Sequence, residues 1–412
     1  MKILFVHQNF PGQFPHLAPA LAARGHQVLA LTDERNQRPS PVPVVRYKHP
    51  DPLPADLPVL ARSYAEHSGR GWLAARGCRA LRDRHGFTPD VILGHSGWGE
   101  TLFLREIWPK ARLLIYAELM YQTRGLDVGF DPEFGPASDD SRIATVARGA
   151  HLVQAIMQAD AAISPTRYQA GTFPPEMRDK ITVIHDGIDT DRLRPDPAVR
   201  FTLPNGRVLR PGDPVITYVS RSLEPYRGFH IFMRALPRVL AERPDAQIVL
   251  VGNTDRTSYG SGPKGHDNWR DAMLAELGPG IDLSRVHFLG RVAYDAYADL
   301  LRVGRAHCYL TYPFVLSWSL TEAMAAGCNI LASDTPPVRE LIRDGQNGRL
   351  LPFFDVEGWS QAMLAALRGD GAEDARRAAA RQTIVQDYDL RRVCLPRQID
   401  WVEGFAPDAQ TA

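Results

Sequence analysis

The sequence predicts an α/β protein of two domains, each a doubly wound parallel sheet with helices on both faces. Three observations support this fold class. Short apolar runs alternate with helical stretches along almost all of the 412 residues, a pattern typical of sheets that are buried on both sides. The alternation breaks once, at residues 191–214, which are rich in proline, glycine and charge and form either a linker or the edge of the second domain. The chain is also longer than a single compact core normally supports.

The first domain is predicted at residues 1–195. Its strands are expected at residues 2–7, 27–32, 90–94, 112–117, 160–164 and 181–185, where β-branched and other apolar residues cluster. Helical stretches lie between these runs. Gly25 follows one of them at a position that suits a C-terminal cap.

The second domain is predicted at residues 196–386, after the proline- and glycine-rich break. Its strands are expected at residues 215–220, 247–252, 286–290, 307–311 and 329–333. A final helical segment at residues 389–403 has no strand after it, so we expect residues 387–412 to cross back to the first domain. Ligands bind at the carboxyl ends of parallel strands, so two such domains predict a central cleft.

The composition argues against several classes of function. The formal net charge of +1 provides no field to attract nucleic acid, and an apolar fraction of 44% with 23% charged residues is typical of a globular protein. The four cysteines form no C-x-x-C pair, which fits a reducing compartment. No apolar run reaches membrane-spanning length, and the basic stretch at residues 62–84 allows at most peripheral membrane contact. We therefore expect a cytoplasmic protein.

The first turn, "VHQNFPGQFPHL" at residues 6–17, leads from a strand into a helix. Gly12 in this turn would allow backbone N–H groups to approach a phosphate. An ordinary strand–helix turn fits the same residues equally well. The fingerprint G-x-G-x-x-G of dinucleotide-binding folds is absent, which argues against a nicotinamide enzyme.

A second candidate site lies in "VSRSLEPYRGFHIFMRAL", residues 219–236. Arg221 and Arg227 follow the first strand of the second domain, and Gly228 opens the next helix. Two guanidinium groups at this position suit a diphosphate, because each can donate two hydrogen bonds to its oxygens. The alternative is a pair of solvated surface arginines.

A third candidate is Glu322, one acidic residue in the apolar stretch "YPFVLSWSLTEAMAAGC" at residues 312–328. Two interpretations fit it. Ser319 and Glu322 have the spacing of a capping box, in which the glutamate only closes a helix N-terminus. A carboxylate near the carboxyl end of a strand can instead accept hydrogen bonds from the vicinal hydroxyls of a ribose.

Taken together, these motifs resemble family 4 of the retaining nucleotide-sugar glycosyltransferases, which have the GT-B fold. The resemblance also includes "VIHDGIDTDRL" at residues 183–193, "VHFLGRV" at 286–292 and "SDTPPVRELIRDGQNGRLL" at 333–351. It implies that Arg221 and Arg227 neutralise the donor diphosphate and that Glu322 holds the ribose. Arg227 stands where the family usually has lysine, one residue further along the chain.

The resemblance assigns further donor contacts to backbone groups. The turn at Gly290 and Arg291 would meet the base, and Gly12 would contribute N–H groups to the distal phosphate or the sugar. The sequence departs from the family at Phe314, where the first glutamate of a Glu-x7-Glu motif is expected. Backbone N–H groups at 315–317, including Leu316 and Ser317, remain as donors. Phe314 either packs in the core or lines a pocket for a less hydroxylated sugar.

The first domain supplies two more candidates. Glu118 stands where the family often has a histidine that touches the donor sugar. It is expected to position a hydroxyl or stabilise developing positive charge; an ion pair with Arg124 or Arg112 is the alternative. His95 lies in the glycine-rich loop "LGHSGWGE" at residues 93–100, where it suits sugar binding or a buried structural role equally.

The sequence thus predicts a retaining transferase that moves a sugar from a nucleoside diphosphate donor to a carbohydrate, lipid-linked or small-molecule acceptor. No nucleic-acid partner and no cofactor are expected. The Asp-x-Asp at residues 189–191 belongs to the "HDGID" segment, and the two arginines make a metal unnecessary. A nucleotide-sugar epimerase of the same architecture and a non-catalytic nucleotide-sugar-binding subunit are the alternatives.

Overall fold

The computed structural model describes residues 1–369 and 371–406. The chain divides into two compact units. The first unit contains Met1–Gly187 together with the chain from Arg391 onwards, and the second contains Ile188–Leu390. Residues 407–412, the end of the segment predicted to cross back, lie outside the described residues.

The first unit is built on a seven-stranded parallel sheet with the order β3-β2-β1-β4-β5-β6-β7. Its strands are β1 (Lys2–Val6), β2 (Gln27–Asp33), β3 (Val44–Tyr47), β4 (Val91–His95), β5 (Arg112–Tyr116), β6 (Ala161–Ser164) and β7 (Ile181–Val183). All six predicted strands are confirmed. The sequence analysis missed β3, because it is a four-residue strand at the edge of the sheet that is only partly buried.

Both faces of this sheet are covered. Ile3 and Phe5 of β1 belong to one hydrophobic core, whereas Leu4 and Val6 belong to the core on the opposite face. The covering helices are α1 (Leu17–Ala23), α2 (Val59–His85), α3 (Asp139–Arg148), α4 (Ala150–Gln158), α5 (Arg167–Gly171) and α6 (Pro175–Arg178). Alternate residues of one strand thus face two apolar layers, as expected of a doubly wound sheet.

The second unit begins with a short antiparallel hairpin, β8 (Phe201–Thr202) and β9 (Val208–Leu209), followed by a six-stranded sheet. The order of the six strands is β12-β11-β10-β13-β14-β15. They are β10 (Val215–Ser222), β11 (Gln247–Asn253), β12 (Val286–Phe288), β13 (Ala306–Tyr309), β14 (Asn329–Ser333) and β15 (Arg349–Leu351). All pairs in this sheet are parallel. The five predicted strands are confirmed, and the short edge strand β15 was missed.

Of the two interpretations of residues 191–214, a linker or the edge of the second domain, the structure agrees with the second, because this stretch belongs to the second unit. Leu193 lies in a core cluster with residues of this unit, and Phe201 and Leu209 of the hairpin pack with Val215 in another. The boundary between the units consequently falls at residue 188, not after residue 195 as expected. Proline and glycine in this stretch form turns between buried apolar residues.

Helices cover both faces of the second sheet. They are α7 (Phe229–Glu242), α8 (Trp269–Leu277), α9 (Tyr294–Val303), α10 (Trp318–Ala325), α11 (Pro336–Arg339), α12 (Val356–Arg368) and α13 (Glu373–Asp387). Strands β10 and β13 are adjacent although about eighty residues separate them in sequence. This crossover brings the segments that follow β10 and β13 to the same edge of the sheet.

The chain returns to the first unit through a π-helical turn, Leu390–Cys394, and the helix α14 (Leu395–Glu403). Val402 of α14 belongs to the same hydrophobic core as Ile3 and Phe5. At the surface, Arg24 donates two hydrogen bonds to the Glu403 carboxylate, at 2.7 and 2.8 Å. Both the apolar contact and the ion pair therefore hold α14 on this unit.

Within the described ranges, no helix is both long enough and apolar enough to cross a bilayer.

Candidate functional site

Two histidines stand at the carboxyl edge of the first sheet, His7 directly after β1 and His95 at the end of β4. The ring Nδ1 of each accepts a backbone N–H from two residues further on, Asn9 to His7 and Gly97 to His95, both at 2.9 Å. A neutral ring that accepts at Nδ1 carries its proton on Nε2. Burial lowers the pKa of His7 to about 4 and that of His95 well below its usual value. Both rings are therefore neutral Nε2–H donors near pH 7.

Glu118, which follows β5, is faced by His95 directly and by His7 through Gln13. His7 Nε2 donates to Gln13 Oε1 at 2.9 Å, and this bond turns the Gln13 amide nitrogen toward Glu118 Oε1, 3.5 Å away. His95 Nε2 lies 3.7 Å from Glu118 Oε2, too far for a hydrogen bond. The Glu118 side chain is 32% exposed. Each carboxylate oxygen thus faces an N–H donor, and a ligand can reach the group.

The structure brings the predicted Glu118 and His95 together. Arg112, one of the two arginines considered as ion-pair partners of Glu118, lies beside Asp160, at 3.6 Å. Sequence reasoning missed Gln13, whose only signal was its place in the first turn.

The environment of His95 is aromatic. Its ring stacks on Trp98, with centroids 5.5 Å apart, and on Tyr116, at 5.3 Å. The Tyr116 hydroxyl donates to the Asp186 carboxylate, whose two oxygens both lie 3.0 Å away. Aromatic faces beside polar groups are typical of sites that bind sugars, and they also fix the orientation of the imidazole. Tyr116 and Asp186 were not singled out from the sequence.

Gly12 has a structural role in the first turn. Its φ of +53° is in the left-handed region, and a Cβ at this position would lie 2.6 Å from His7 Nε2. Its N–H donates to the carbonyl of Asn9 at 3.0 Å. The N–H is thus engaged within the turn, and α1 begins only at Leu17. Glycine is required here because the backbone packs directly on the His7 ring.

In the second unit, the two predicted arginines differ in environment. Arg221 is the residue before the last one of β10 and is exposed, whereas Arg227 is only 7% exposed. Arg227 Nη1 donates to Thr311 Oγ1 at 2.9 Å and to the carbonyl of Val315 at 2.8 Å. Arg227 is therefore not a solvated surface arginine. It is held beside the segment that follows β13.

Gly228 permits this placement of Arg227. It ends a 3₁₀ turn with a φ of +69° and precedes α7. A Cβ on Gly228 would lie 2.3 Å from Leu310 Cβ. The absence of a side chain lets the turn pack on the segment after β13, and this contact brings Arg227 to Thr311.

Glu322 on α10 is bound by two tyrosines of α9. Tyr294 donates its hydroxyl to Oε1 at 2.9 Å, and Tyr297 donates to Oε2 at 2.7 Å. Burial raises the pKa of Glu322, although both hydroxyl groups oppose the shift. The N-cap of α10 is Ser317, so Glu322 does not occupy the capping-box position. The capping interpretation is wrong, and the tyrosine pair was not predicted.

The predicted backbone donors of the segment 315–317 are partly engaged. The N–H of Ser317 donates to the Tyr309 hydroxyl at 2.8 Å, and the Leu316 side chain is buried. Gly290 lies in the turn after β12 with a φ of +64°, and its carbonyl accepts the N–H of Gly252 at 3.0 Å. The next residue, Arg291, is exposed.

Phe314 packs within an aromatic cluster. It is 5% exposed and meets Tyr259 edge-on at a centroid distance of 4.8 Å and Tyr226 at 5.6 Å. The Arg227 guanidinium carbon lies 5.8 Å from the Phe314 ring centre, within the range of a cation–π contact. Of the two interpretations left open, the packed one describes Phe314, and its ring supports Arg227.

Comparisons with known proteins agree with this architecture. Residues 24–193 match the model of the Glycosyl transferase family 4 group, and residues 213–369 match that of the Glycosyl transferases group 1. A phosphatidyl-myo-inositol mannosyltransferase from Mycolicibacterium smegmatis is 31% identical over 203 residues, 48% of this chain and 47% of that protein. A D-inositol 3-phosphate glycosyltransferase from Streptomyces scabiei is 27% identical over 240 residues, 57% of this chain and 51% of that protein. The chain spans about half the length of these curated relatives.

Solved structures match over nearly the whole chain. A sucrose-phosphate synthase from Thermosynechococcus elongatus superposes with a TM-score of 0.71 at 17% identity, covering 98% of this chain and 99% of that one. The Anabaena protein HepE in complex with UDP-glucose gives a TM-score of 0.67 at 17% identity with the same coverage. At this level of identity the likeness shows the fold alone.

Proposed function

We propose that the chain transfers a sugar from a nucleoside diphosphate sugar to a hydroxyl group of an acceptor, because residues 24–193 and 213–369 match glycosyltransferase family models and the chain has the GT-B fold. The proposed reaction retains the anomeric configuration and requires no metal. The observation that carries the proposal is the buried Arg227, fixed by Thr311 and Val315 at the carboxyl edge of a parallel sheet. A buried guanidinium in this place is suited to an anionic ligand.

The donor diphosphate would bind to Arg227 and to the exposed Arg221. Arg227 is already oriented before the donor arrives, so little reorganisation opposes the stabilisation of negative charge on the leaving phosphate. Two guanidinium groups supply the charge that a metal ion provides in other transferases. The HepE structure contains UDP-glucose, and this supports a nucleotide sugar as donor here.

Glu322 would bind the ribose of the donor. A carboxylate has about four lone-pair sites, and Tyr294 and Tyr297 each use one. The remaining sites can accept the two vicinal hydroxyls. The tyrosines hold the carboxylate in one orientation, and the turn at Gly290 and Arg291, a few residues before Tyr294, would then meet the base.

Glu118 would act in the first unit, on a hydroxyl of the acceptor or of the transferred sugar. Its carboxylate faces the N–H groups of Gln13, 3.5 Å away, and of His95, 3.7 Å away, and its side chain is open to a ligand. In the proposed mechanism the departing phosphate takes the proton of the acceptor hydroxyl on the face that it leaves. Glu118 then orients that hydroxyl or stabilises the positive charge that develops on the sugar.

For the acceptor, we propose a polyhydroxylated molecule, either a free carbohydrate or one attached to a lipid. The names of the curated relatives, a mannosyltransferase of phosphatidyl-myo-inositol and a glycosyltransferase of D-inositol 3-phosphate, support both kinds. The aromatic faces of Trp98 and Tyr116 beside His95 favour a ring-shaped ligand.

The experiment is a turnover assay with a panel of UDP-, GDP- and ADP-sugars, with and without a mixture of polyol and glycolipid acceptors. Free nucleoside diphosphate and products are followed by mass spectrometry, and NMR gives the anomeric configuration. We expect release from one donor in the wild type and loss in Arg227→Ala. Arg243→Ala, which removes a surface arginine paired with Asp245, serves as the matched control.

Three outcomes would contradict the proposal. An epimerase would convert the donor into a new nucleotide sugar without an acceptor. A binding subunit would bind a nucleotide sugar and release nothing. An inverted anomeric configuration in the product would overturn the retaining mechanism while leaving the transferase in place.

A further inference from the structure

Glu224 is a fully buried carboxylate in the turn between Arg221 and Arg227. Its side chain is 0% exposed. Oε2 accepts the backbone N–H groups of Ser258 at 2.5 Å and of Tyr259 at 3.0 Å. Two consecutive N–H groups thus converge on one oxygen, as in a small anion-binding turn. The turn that carries the two arginines is thereby joined to a segment more than thirty residues further along the chain.

The same segment is held by two further contacts. Ser222 and Ser258 share a hydrogen bond between their hydroxyls at 2.7 Å. The ring of Tyr259 lies against Phe314, and the Arg227 guanidinium carbon is 5.6 Å from the Tyr259 ring centre. Residues 258–259 therefore lie beside Arg227, and Glu224 positions them there.

The second carboxylate oxygen of Glu224 is also informative. Oε1 is buried and makes no hydrogen bond to any residue in the described ranges. A buried charged oxygen without a partner is costly for stability. Burial raises the pKa of Glu224, although the N–H groups of Tyr259 and Ser258 and the charges of Arg227 and Arg221 favour its ionised form.

We propose that Glu224 is a positioning residue of the donor site. It accepts the N–H groups of residues 258–259 and thereby holds these residues against Arg227. Without these two hydrogen bonds, Tyr259 moves away from the Arg227 guanidinium, and the donor meets an arginine that is no longer confined to one orientation. This inference rests on the proposed function insofar as Arg227 binds the donor. The hydrogen bonds from residues 258–259 to Glu224 are present in the chain without any ligand.

Hydrogen exchange tests the two hydrogen bonds to Glu224 directly, without substrate. Amide exchange is measured by mass spectrometry with residue-level fragmentation on the wild type, Glu224→Ala and Glu224→Gln. Glu242→Ala, a surface glutamate paired with Arg238, is the matched control. We expect the amides of Ser258 and Tyr259 to exchange roughly tenfold faster or more in Glu224→Ala. Glu224→Gln keeps an acceptor oxygen and should restore most of the protection.

Steady-state kinetics then test whether these hydrogen bonds affect donor binding. We expect the donor KM to rise in Glu224→Ala with a much smaller change in kcat, and to return toward the wild-type value in Glu224→Gln. Unchanged exchange at both amides in Glu224→Ala would overturn the inference. Equally faster exchange throughout the second sheet would also overturn it, because Glu224 would then stabilise the whole unit. If no donor is turned over, the proposed function fails, but the exchange result still shows whether Glu224 holds residues 258–259.

Discussion

The most informative perturbation concerns Glu322, whose carboxylate is proposed to bind the two ribose hydroxyls of the donor. A hydrogen bond to a charged group contributes about 1.5–3 kcal/mol. Two such bonds contribute about 3–6 kcal/mol, which corresponds to about 10²- to 10⁴-fold in affinity. The wild type should therefore prefer a nucleoside diphosphate over its 2′,3′-dideoxy counterpart by this factor. In Glu322→Ala the preference should fall close to one.

Competition titrations of both nucleotides against the wild type, Glu322→Ala and Glu322→Gln provide the assay. Glutamine keeps one acceptor oxygen without the charge, so its preference should be intermediate. Tyr294→Phe is the internal control, because it removes only the hydroxyl that donates to Oε1 at 2.9 Å and leaves the carboxylate in place. That variant should keep the preference for the ribonucleotide.

Two results would refute the assignment of Glu322. One is a wild type that binds both nucleotides equally. The other is a Glu322→Ala variant that still prefers the ribonucleotide as strongly as the wild type. Circular dichroism on each variant shows whether the fold survives, so that a loss of binding is not mistaken for unfolding.

Three further predictions concern stability. Arg24 is the main cause that lowers the pKa of Glu403 from 4.5 to about 2. The pair therefore stabilises the fold above pH 4.5 and loses this effect as the pH falls toward 2. In Glu403→Gln, the free energy of unfolding measured with denaturant should depend less on pH over that range. Burial lowers the pKa of His7 from 6.5 to about 4, so the unfolded state gains a proton first and stability should fall from pH 6.5 to 4, a decline that His7→Asn should reduce. Gly228→Ala should lower the unfolding free energy in urea by about 2–5 kcal/mol, from left-handed strain and the clash with Leu310; a change below 1 kcal/mol, on the order of a surface substitution, would contradict the turn geometry.

The sheets were largely predictable because the strands are apolar on both faces and helices separate them. The elements that escaped prediction are short and at the edges. Strands β3 and β15 have four and three residues, and a partly buried edge strand shows neither a long apolar run nor strict alternation. The hairpin β8–β9 was hidden in a stretch whose prolines and glycines resembled a linker.

The candidate site was predictable only in part. Glu322 is visible in the sequence as a carboxylate in an apolar stretch, and Arg227 as one of two arginines between a strand and a helix. Their partners are not visible, since Tyr297 and Thr311 approach them only through packing of distant segments. Glu224 was overlooked for the same reason. Its two N–H partners lie 34 and 35 residues away along the chain.

The most direct test of the central claim is a calorimetric titration of UDP, GDP and ADP into the wild type, Arg227→Ala and Arg227→Lys, with Arg243→Ala as control. We predict that one of the three nucleotides binds the wild type and Arg243→Ala alike. Affinity should fall by about 10²-fold or more in Arg227→Ala, as expected for losing charge-assisted hydrogen bonds, and less in Arg227→Lys, which keeps the charge. Equal binding to the wild type and Arg227→Ala, or no binding of any of the three to the wild type, would contradict a nucleotide-sugar site at Arg227.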